Sequence, residues 1–322
     1  MRKSSSDSLI FLALCLYSGS GPVRIREILF AIREARLSLE QLVRLSPVER
    51  RRRLGLSAAL HGVLDKIPPF VDKAGHLACD LEKLGISWIG EEDKDYPQRL
   101  GHFMKSAAPC VIFYRGNLDL VHSPYFLGIV GTREPSHKGM EAARRIPGEI
   151  AEKGAVIVSG GAMGIDTCAH EAALRHSGTI IILPYGFDYI RRLAYLSRYM
   201  NKTNHLILSE FAPFEKGNKN TPILRNRTVA ALSDALLVVE TGMSGGTLHT
   251  VRFAREYMKP VLALDFSPLP NPKGNASLVE TVAQRVPASP QEREARIETL
   301  LKALEKGKGL LHKKSAVQNL LF

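Results

Sequence analysis

The sequence predicts an α/β protein with a Rossmann-like, doubly wound, mainly parallel sheet (an extended Rossmann fold) and a small N-terminal all-helical domain. Six short runs of Ile, Val and Leu recur between residues 127 and 264, separated by polar segments of helix length. Because strands without in-out alternation are buried on both faces, their alternation with helices indicates a parallel sheet. Residues 1–85 instead carry helical patterns with little strand signal.

The N-terminal domain, residues 1–85, is expected to contain five helices. A Gly-Ser-Gly-Pro turn at residues 19–22 separates the first two, and Arg24 and Arg26 follow it. Helix-hairpin-helix DNA binders use such turns to present N–H groups to phosphate, but Gly and Pro also form plain interhelical turns. The expected helices cover residues 9–17, 23–35, 38–45, 58–65 and 71–84.

The second domain, residues 86–284, begins with a connecting segment in which Pro97 and Pro109 interrupt helices and residues 111–114 form a short strand. The sheet follows, and ligands of such sheets bind beyond the carboxyl ends of the strands. Residues 285–322 are expected to be a basic helical tail. The expected strands of the sheet cover residues 127–130, 156–159, 179–183, 206–209, 235–240 and 261–264.

Charge and composition narrow the class of protein. The 322 residues include 44 Lys and Arg against 32 Asp and Glu, and the net charge of +12 attracts polyanions such as nucleic acid. A basic surface can also serve only solubility. No run of about 18 apolar residues is present, which excludes an integral membrane protein. The four cysteines form no C-x-x-C pair, so no metal site, disulfide framework or cofactor is expected.

The apolar stretch at residues 9–17 (LIFLALCLY) has two interpretations. It follows two basic residues and could be the core of a secretory signal. The Ser and Asp residues before it are natural N-caps, which favours the first helix of the domain. A cytoplasmic protein is therefore expected.

The first strand of the sheet leads into a loop suited to phosphate. Gly131 allows a tight turn with outward N–H groups, Arg133 adds a full positive charge, and Ser136 and Lys138 lie where the loop enters a helix. The loop lacks the G-x-G-x-x-G fingerprint of dinucleotide sites. It predicts an anion site without indicating a dinucleotide.

The second strand leads into another glycine-rich turn, residues 159–166 (SGGAMGID), which contains Gly160 and Gly161. Asp166 and His170 lie four residues apart on one helix face and could form a catalytic dyad. Alternatively, the Asp accepts N–H groups of the loop at the helix start and the His is a packed hydrogen-bonding residue.

Arginines open the helix before the fifth strand. Arg225 and Arg227 flank Asn226, after a loop that holds Lys216 and Lys219. Cations near a helix start are electrostatically unfavourable, so this pattern favours phosphate binding. The alternative is an ion pair with a nearby carboxylate, Glu210, Glu215 or Glu240.

A third glycine-rich turn follows the fifth strand at residues 241–250 and contains Ser244 and Gly245. The sequence has neither a P-loop Lys nor a G-x-S-x-G elbow here. With three such turns at the carboxyl edge of the sheet, we expect a rim lined with backbone donors and no activated nucleophile.

Several motifs occur in a fixed order between residues 96 and 280. They are Tyr114-Arg115-Gly116-Asn117, residues 128–133 (GIVGTR) with Ser136 and Gly139, residues 159–166 with Ala169-His170, Ser209-Glu210, Arg225-Asn226-Arg227 with Leu232-Ser233, and Val239-Glu240 with Ser244-Gly245. In this combination the chain resembles the DprA/Smf family of DNA-processing proteins.

The resemblance implies a non-catalytic protein that binds single-stranded DNA as a homodimer and loads the RecA recombinase during natural transformation, with a sterile-alpha-motif-like N-terminal module. Arg133, Arg225 and Arg227 would contact phosphates, which requires no base readout. The expected DNA-binding set is Arg133, Arg225, Asn226, Arg227, Gly131, Ser136, Lys138, Gly160, Gly161, Lys219, Ser244 and Gly245.

The chain departs from the family at four places. Thr221-Pro222-Ile223-Leu224 stands where the family has Phe-Pro before its Arg-Asn-Arg motif, and a strand that usually ends in Pro-Gly ends here in Asp265-Phe266. The family usually has an aromatic-proline pair after a G-x-D motif, whereas here Asp188 is followed by Tyr-Ile-Arg-Arg. A complete C-terminal winged helix is not evident in residues 285–322.

An enzyme or sensor of the same superfamily is the alternative. Lysine-decarboxylase-like phosphoribohydrolases cleave a nucleoside monophosphate with an acidic residue beside a glycine-rich loop, as Glu240 and residues 244–247 would be. Their motif ends in Glu, whereas Thr250 stands at that position here. A nucleotide sensor without catalysis would share the fold.

Overall fold

The computed structural model describes residues 5–17, 19 and 21–312, and the chain divides into two units. The first unit holds the residues up to Tyr96 together with Lys105–Phe113. The second holds Pro97–Met104 and the residues from Tyr114 onward. The chain therefore passes between the units three times, and residues 86–96 and 105–113, expected in the second domain, belong to the first.

Serine caps begin several helices of the first unit. Ser38 Oγ accepts a hydrogen bond from Gln41 N at 3.0 Å, and the Gln41 side chain accepts one from Ser38 N at 2.8 Å. Ser46 and Glu49 form the same reciprocal capping box. This box begins an arginine-rich helix that was not predicted, because it lacks an apolar repeat. The elements are α1 (Ser6–Tyr17), α2 (Pro22–Glu34), α3 (Leu39–Arg44), α4 (Pro47–Arg53), α5 (Ala58–Lys66), α6 (Pro68–Lys83) and β1 (Ser87–Gly90).

The turn between α1 and α2 lies partly outside the described residues, since Ser20 is not among them. Arg26, which the sequence placed near phosphate, is engaged within the first unit. Its Nε donates to Glu91 Oε2 at 2.7 Å, and its two terminal nitrogens donate to the carbonyls of Ser106 and Ala108, each at 2.8 Å. These bonds favour the plain interhelical turn over a DNA-binding hairpin.

The second unit is built on a parallel sheet. β2 (Val111–Gly116) crosses from the first unit to the second. The strands that follow are β3 (Tyr125–Val130), β4 (Ala155–Ser159), β5 (Thr179–Leu183), β6 (His205–Ser209), β7 (Ala235–Val238), β8 (Val261–Asp265) and β9 (Gln284–Pro287).

These seven strands lie in the order β6-β5-β4-β3-β7-β8-β9, and all their pairings are parallel. The register aligns Leu127 of β3 with Ile157 of β4 on one side and Ala235 of β7 on the other. From β3 the chain adds strands first on one side (β4, β5, β6) and then on the other (β7, β8, β9). The topological switch point therefore lies between the neighbouring strands β3 and β7. The six predicted strands are confirmed. β9 was not predicted, because its short sequence includes exposed Gln284 and Arg285 rather than an apolar run.

Helices cover both faces of the sheet. Residues of α8, α9 and α13 share one buried cluster with strand residues such as Leu127 and Ile129. On the other face α10 comes so close that a Cβ at Gly128 would lie 2.4 Å from Ser233 Oγ. The helices are α7 (Gln98–Met104), α8 (His137–Ala151), α9 (Ile165–Ala173), α10 (Thr221–Leu232), α11 (Gly246–Glu256), α12 (Lys273–Thr281) and α13 (Arg293–His312), with a 3₁₀ helix at Phe187–Tyr199.

The C-terminal helix α13 is part of this core rather than a tail. Ile297, Leu300 and Leu304 are buried in the cluster. Arg296 is fully buried, and its Nε and Nη2 each donate to the Glu149 carboxylate of α8 at 2.9 Å. The sequence interpretation set residues 285–322 apart as a basic helical tail, but the apolar face of α13 packs on the sheet. Residues 313–322 lie outside the described residues.

No helix in the described part of the chain is long and apolar enough to cross a membrane. Over the same residues, no group of three or more His, Cys, Asp or Glu side chains could hold a metal ion. The four cysteines are free thiols.

Candidate nucleic-acid interface

A cavity of about 450 Å³ opens in the second unit beyond the carboxyl ends of β4, β5 and β6. Its walls are the glycine-rich loop after β4, the residues after β5 and the loop that precedes α10. Arg133, Arg192, Lys216 and Arg225 line it, and none of the described lining residues carries a carboxylate. The cavity therefore attracts anions.

Arg225 forms the floor of this cavity. Its side chain is buried, with 4% exposure, and Nη1 donates to the carbonyls of Gly160 and Ile182, the latter at 2.8 Å. A Cβ at Gly160 would overlap the guanidinium, so any larger residue there would displace Arg225 from its position. Burial lowers the pKa of Arg225, and the neighbouring Asp166 carboxylate opposes that change. Arg225 thus holds the loop after β4 against β5, in addition to placing its charge beneath the cavity.

Asp166, at the start of α9, satisfies the N–H groups of the same loop. Its Oδ2 accepts hydrogen bonds from Gly160 N at 3.2 Å and Ala162 N at 3.3 Å. Burial raises the pKa of Asp166, whereas Arg225 lowers it. Because these donors are taken, the positive character of the cavity comes from side chains rather than from backbone N–H groups. The expected rim of free backbone donors is not what the structure shows at this loop.

His170 lies behind the loop and does not line the cavity. Its Nδ1 is 2.8 Å from Thr179 Oγ1. Since Thr179 Oγ1 donates to the Ile157 carbonyl, His170 Nδ1 must carry the proton and donate. Burial lowers the pKa of His170 to about 3, so the ring is neutral near pH 7. Asp166 and His170 thus have separate partners, as in the packing alternative rather than the dyad.

Three of the four cavity cations are exposed: Arg133, which follows β3, Arg192 of the 3₁₀ helix and Lys216 of the loop before α10. None forms an ion pair with another described residue. Thr132 N donates to the Glu240 carbonyl at 2.8 Å, which fixes the backbone next to Arg133. Unpaired cations around a concave surface are available to an anionic ligand.

Aromatic residues complete the cavity, and the sequence interpretation missed them. Tyr185 lies two residues after the end of β5, and Tyr195 Oη donates to the Gly161 carbonyl at 3.1 Å. Tyr189, Arg192 and Tyr195 recur every third residue, so they share one face of the 3₁₀ helix. That spacing was the available signal, but α-helix and strand templates do not detect it.

The loop after β3 binds a carboxylate of the chain itself, Glu240, at the start of α8. Ser136 caps α8 by accepting a hydrogen bond from Gly139 N at 3.2 Å. The Glu240 carboxylate, which follows β7, accepts bonds from Ser136 N at 3.1 Å and Ser136 Oγ at 2.8 Å. A Cβ at Gly139 would overlap Glu240 Oε2, and one at Gly131 would lie 2.5 Å from Ile165 Cγ1. The predicted anion site at the start of α8 is therefore filled by the chain's own carboxylate.

The two arginines of the Arg-Asn-Arg motif do not act together. Arg227 Nη2 lies 3.3 Å from Glu210 Oε2, the ion pair that the sequence left open. Residues two apart on a helix point away from each other, which separates it from Arg225. Asn226 accepts a bond from Arg225 Nε and donates to the Gly246 carbonyl, each at 3.1 Å, so it links α10 to the start of α11.

The remaining expected residues lie outside the cavity lining. Lys138 donates to the Pro270 carbonyl, and its Nζ lies 4.9 Å from the centre of the Phe266 ring. Lys219, Ser244 and Gly245 are exposed. The structure thus brings together Arg133, Gly160, Gly161 and Arg225 from the expected set, and adds Lys216, Arg192 and the tyrosines.

The chain is similar in sequence to known proteins. Residues 87–297 match the family described as DNA recombination-mediator protein A. The chain is 34% identical over 205 residues to the DNA processing protein DprA of Bacillus subtilis, a match covering 62% of this chain and 67% of that protein. Across relatives from Bacillus subtilis, Synechocystis sp. and Streptococcus pneumoniae, the match covers 46% to 67% of the relative, so the chain spans about half to two thirds of their length.

Solved structures show the same fold. DNA processing protein A from Streptococcus pneumoniae aligns with a TM-score of 0.68 at 29% identity, over 91% of this chain and 98% of that chain. The Helicobacter pylori protein of the same name, whose structure concerns its single-stranded DNA binding mode, aligns with a TM-score of 0.58 at 30% identity, over 67% of this chain and 96% of that chain. The expected Rossmann-like fold with an N-terminal helical region is confirmed.

Proposed function

The chain belongs to the DNA recombination-mediator protein A family, and from this premise we propose that it binds single-stranded DNA in its cationic cavity as a recombination mediator. The observation that carries the proposal is the set of unpaired exposed cations, Arg133, Arg192 and Lys216, around a cavity whose described lining has no carboxylate. The charge of such a set attracts the phosphate backbone of a nucleic acid, whatever the base sequence.

The shape of the cavity supports a single strand over a duplex. A volume of about 450 Å³ with tyrosines in its wall accommodates an unpaired nucleotide, but not a base pair within a helix. Cations at the rim and aromatic rings inside are the two elements of sequence-independent single-strand sites.

The finer proposal is that the protein protects incoming single strands and loads RecA during natural transformation, as a homodimer in the cytoplasm and without catalysis. The support for it is the family resemblance.

A nucleotide hydrolase or sensor is the alternative. A hydrolase of the resembling type would need Glu240 as its acidic residue, but that carboxylate accepts hydrogen bonds from Ser136. A sensor would take a mononucleotide in the cavity. A melting temperature raised by mononucleotides, with no affinity for oligonucleotides, would favour the sensor.

The test is fluorescence anisotropy with a labelled single strand and its duplex, titrated over salt concentration. We expect the single strand to bind more tightly. Arg133→Ala and Lys216→Ala should each weaken binding equally for every base composition and reduce the slope of log affinity against log salt by about 0.7.

Lys219→Ala is the matched control, because this exposed lysine lies three residues from Lys216 but outside the cavity lining. It should leave the slope nearly unchanged. Equal binding of duplex and single strand, or equal losses in all three variants, would contradict the cavity as the binding site.

A further inference from the structure

Arg192 occupies an unusual position in the cavity wall. The centre of its guanidinium lies 5.0 Å from the Tyr185 ring centroid and 5.7 Å from that of Tyr189. The two rings meet edge to face, with centroids 6.4 Å apart and planes at 71°. The guanidinium is therefore held over a pair of aromatic rings that fix its place.

Apart from these two rings, Arg192 has no polar partner in the described part of the chain. Arg192 is exposed and lines the cavity, and no described residue forms an ion pair or hydrogen bond with it. The arginines with structural roles look different: Arg225 and Arg296 are buried and donate to carbonyls or a carboxylate. Arg192 is held in place by stacking yet keeps its donors free.

We propose that the guanidinium of Arg192, held on Tyr185 and Tyr189, is the platform on which an unpaired nucleobase stacks in the cavity. This inference rests on the proposed function and adds which part of the nucleotide Arg192 recognises. A guanidinium is planar and weakly hydrated, so one face can lie on an aromatic ring while the other accepts a base. The Tyr-Ile-Arg-Arg sequence after Asp188 would then supply the stacking surface.

Arg192→Lys separates stacking from charge, because lysine keeps the cation but has no planar group. Arg191→Lys is the matched control, since the adjacent arginine is also exposed but does not line the cavity. Affinities of the full chain are measured for an oligo-dA strand and for an abasic strand of equal length, which keeps the phosphates and lacks the bases.

For the wild-type protein and for Arg191→Lys, we expect the intact strand to bind about fivefold or more tightly than the abasic strand, as base stacking predicts. In Arg192→Lys this ratio should fall towards one, with the salt slope unchanged. Circular dichroism checks that the variants are folded.

A ratio retained in Arg192→Lys, or a ratio of one in the wild-type protein, would overturn the platform. Weaker binding of both strands by the same factor, with the ratio preserved, would assign the Arg192 fork to a phosphate and also overturn the platform. Failure of the wild-type protein to bind either strand would instead refute the proposed function, and the platform with it.

Discussion

Two glycine-rich loops of the second unit share a backbone plan and differ in charge. Each leads from a parallel strand into a helix, and in each a carboxylate accepts backbone N–H groups. Glu240 does so in the loop after β3, and Asp166 does so in the loop after β4. Asp166 has the Arg225 guanidinium beside it, whereas no cation in the described chain pairs with Glu240. Around the loop after β4, Arg225 is joined by Arg192, Lys216 and Arg133, the last of which comes from the first loop.

The difference teaches that a glycine turn at a strand end predicts a backbone shape but not a bound anion. In both loops a carboxylate of the chain itself accepts backbone N–H groups, so what distinguishes the loops is the side chains that other elements place around them. β7 leads to an acidic residue at the first loop. α10 and the segments after β3 and β5 bring arginines to the second.

The largest effect that would test this contrast is on stability, through Arg225. Arg225→Ala removes the donor to Gly160 and Ile182 and leaves Asp166 buried without its cation. We expect a loss of about 3–5 kcal/mol in the free energy of unfolding, measured by urea denaturation. Arg227→Ala, which breaks a partly exposed ion pair with Glu210, should lose about 1 kcal/mol. Equal losses would show that Arg225 does not hold the second loop.

Acid stability tests the buried support of the second loop. The pKa of His170 is lowered by burial to about 3, against about 6.5 in an unfolded chain. Between these values the unfolded state binds a proton that the folded state does not, so stability falls as pH decreases. The contribution is about 1.4 kcal/mol per pH unit.

His170→Gln keeps a donor for Thr179 and removes this titration. Urea denaturation between pH 6.5 and 4.5 should therefore show a shallower loss in the variant than in the wild-type protein. Parallel pH profiles would mean that His170 is not buried as a neutral ring.

A smaller effect is expected at the first loop. Glu240→Ala frees the Ser136 donors at the start of α8 and should lower the free energy of unfolding by about 1–2 kcal/mol. The vacated site should then take an anion, so inorganic phosphate should raise the melting temperature of the variant more than that of the wild-type protein. An identical phosphate response in the two proteins would argue that Glu240 does not occupy an anion site.

The sheet was predictable because strands that are buried on both faces consist of continuous apolar runs, as in Thr179–Leu183. β9 and α4 lack such a run. β9 is short and partly polar, and α4 is mostly arginine. Helical spacing alone separates Arg225 from Arg227, but which of them faces the cavity depends on how α10 packs.

The cavity was predictable only in part. Arg133 and Gly160 stand in recognisable turns, whereas Tyr185 and Arg192 meet through a 3₁₀ helix whose three-residue period standard patterns do not detect. Glu240 follows β7 along the chain. It lies at the start of α8 because β7 is next to β3 in the sheet, and this strand order could not be deduced from the sequence around Glu240.

Helix α7 belongs to the second unit, although the chain returns to the first unit directly after it. It precedes residues of the first unit but packs in the second, where Arg99 Nε lies 3.1 Å from Asp234 Oδ1 and Lys259 Nζ lies 3.5 Å from the Phe103 ring centroid. Neither unit is thus encoded by one uninterrupted stretch. A duplication or fusion that copied residues 114–312 alone would leave Asp234 buried without its arginine. A gene segment that encodes the complete second unit must therefore begin before residue 97. The family match, which begins at residue 87, includes α7.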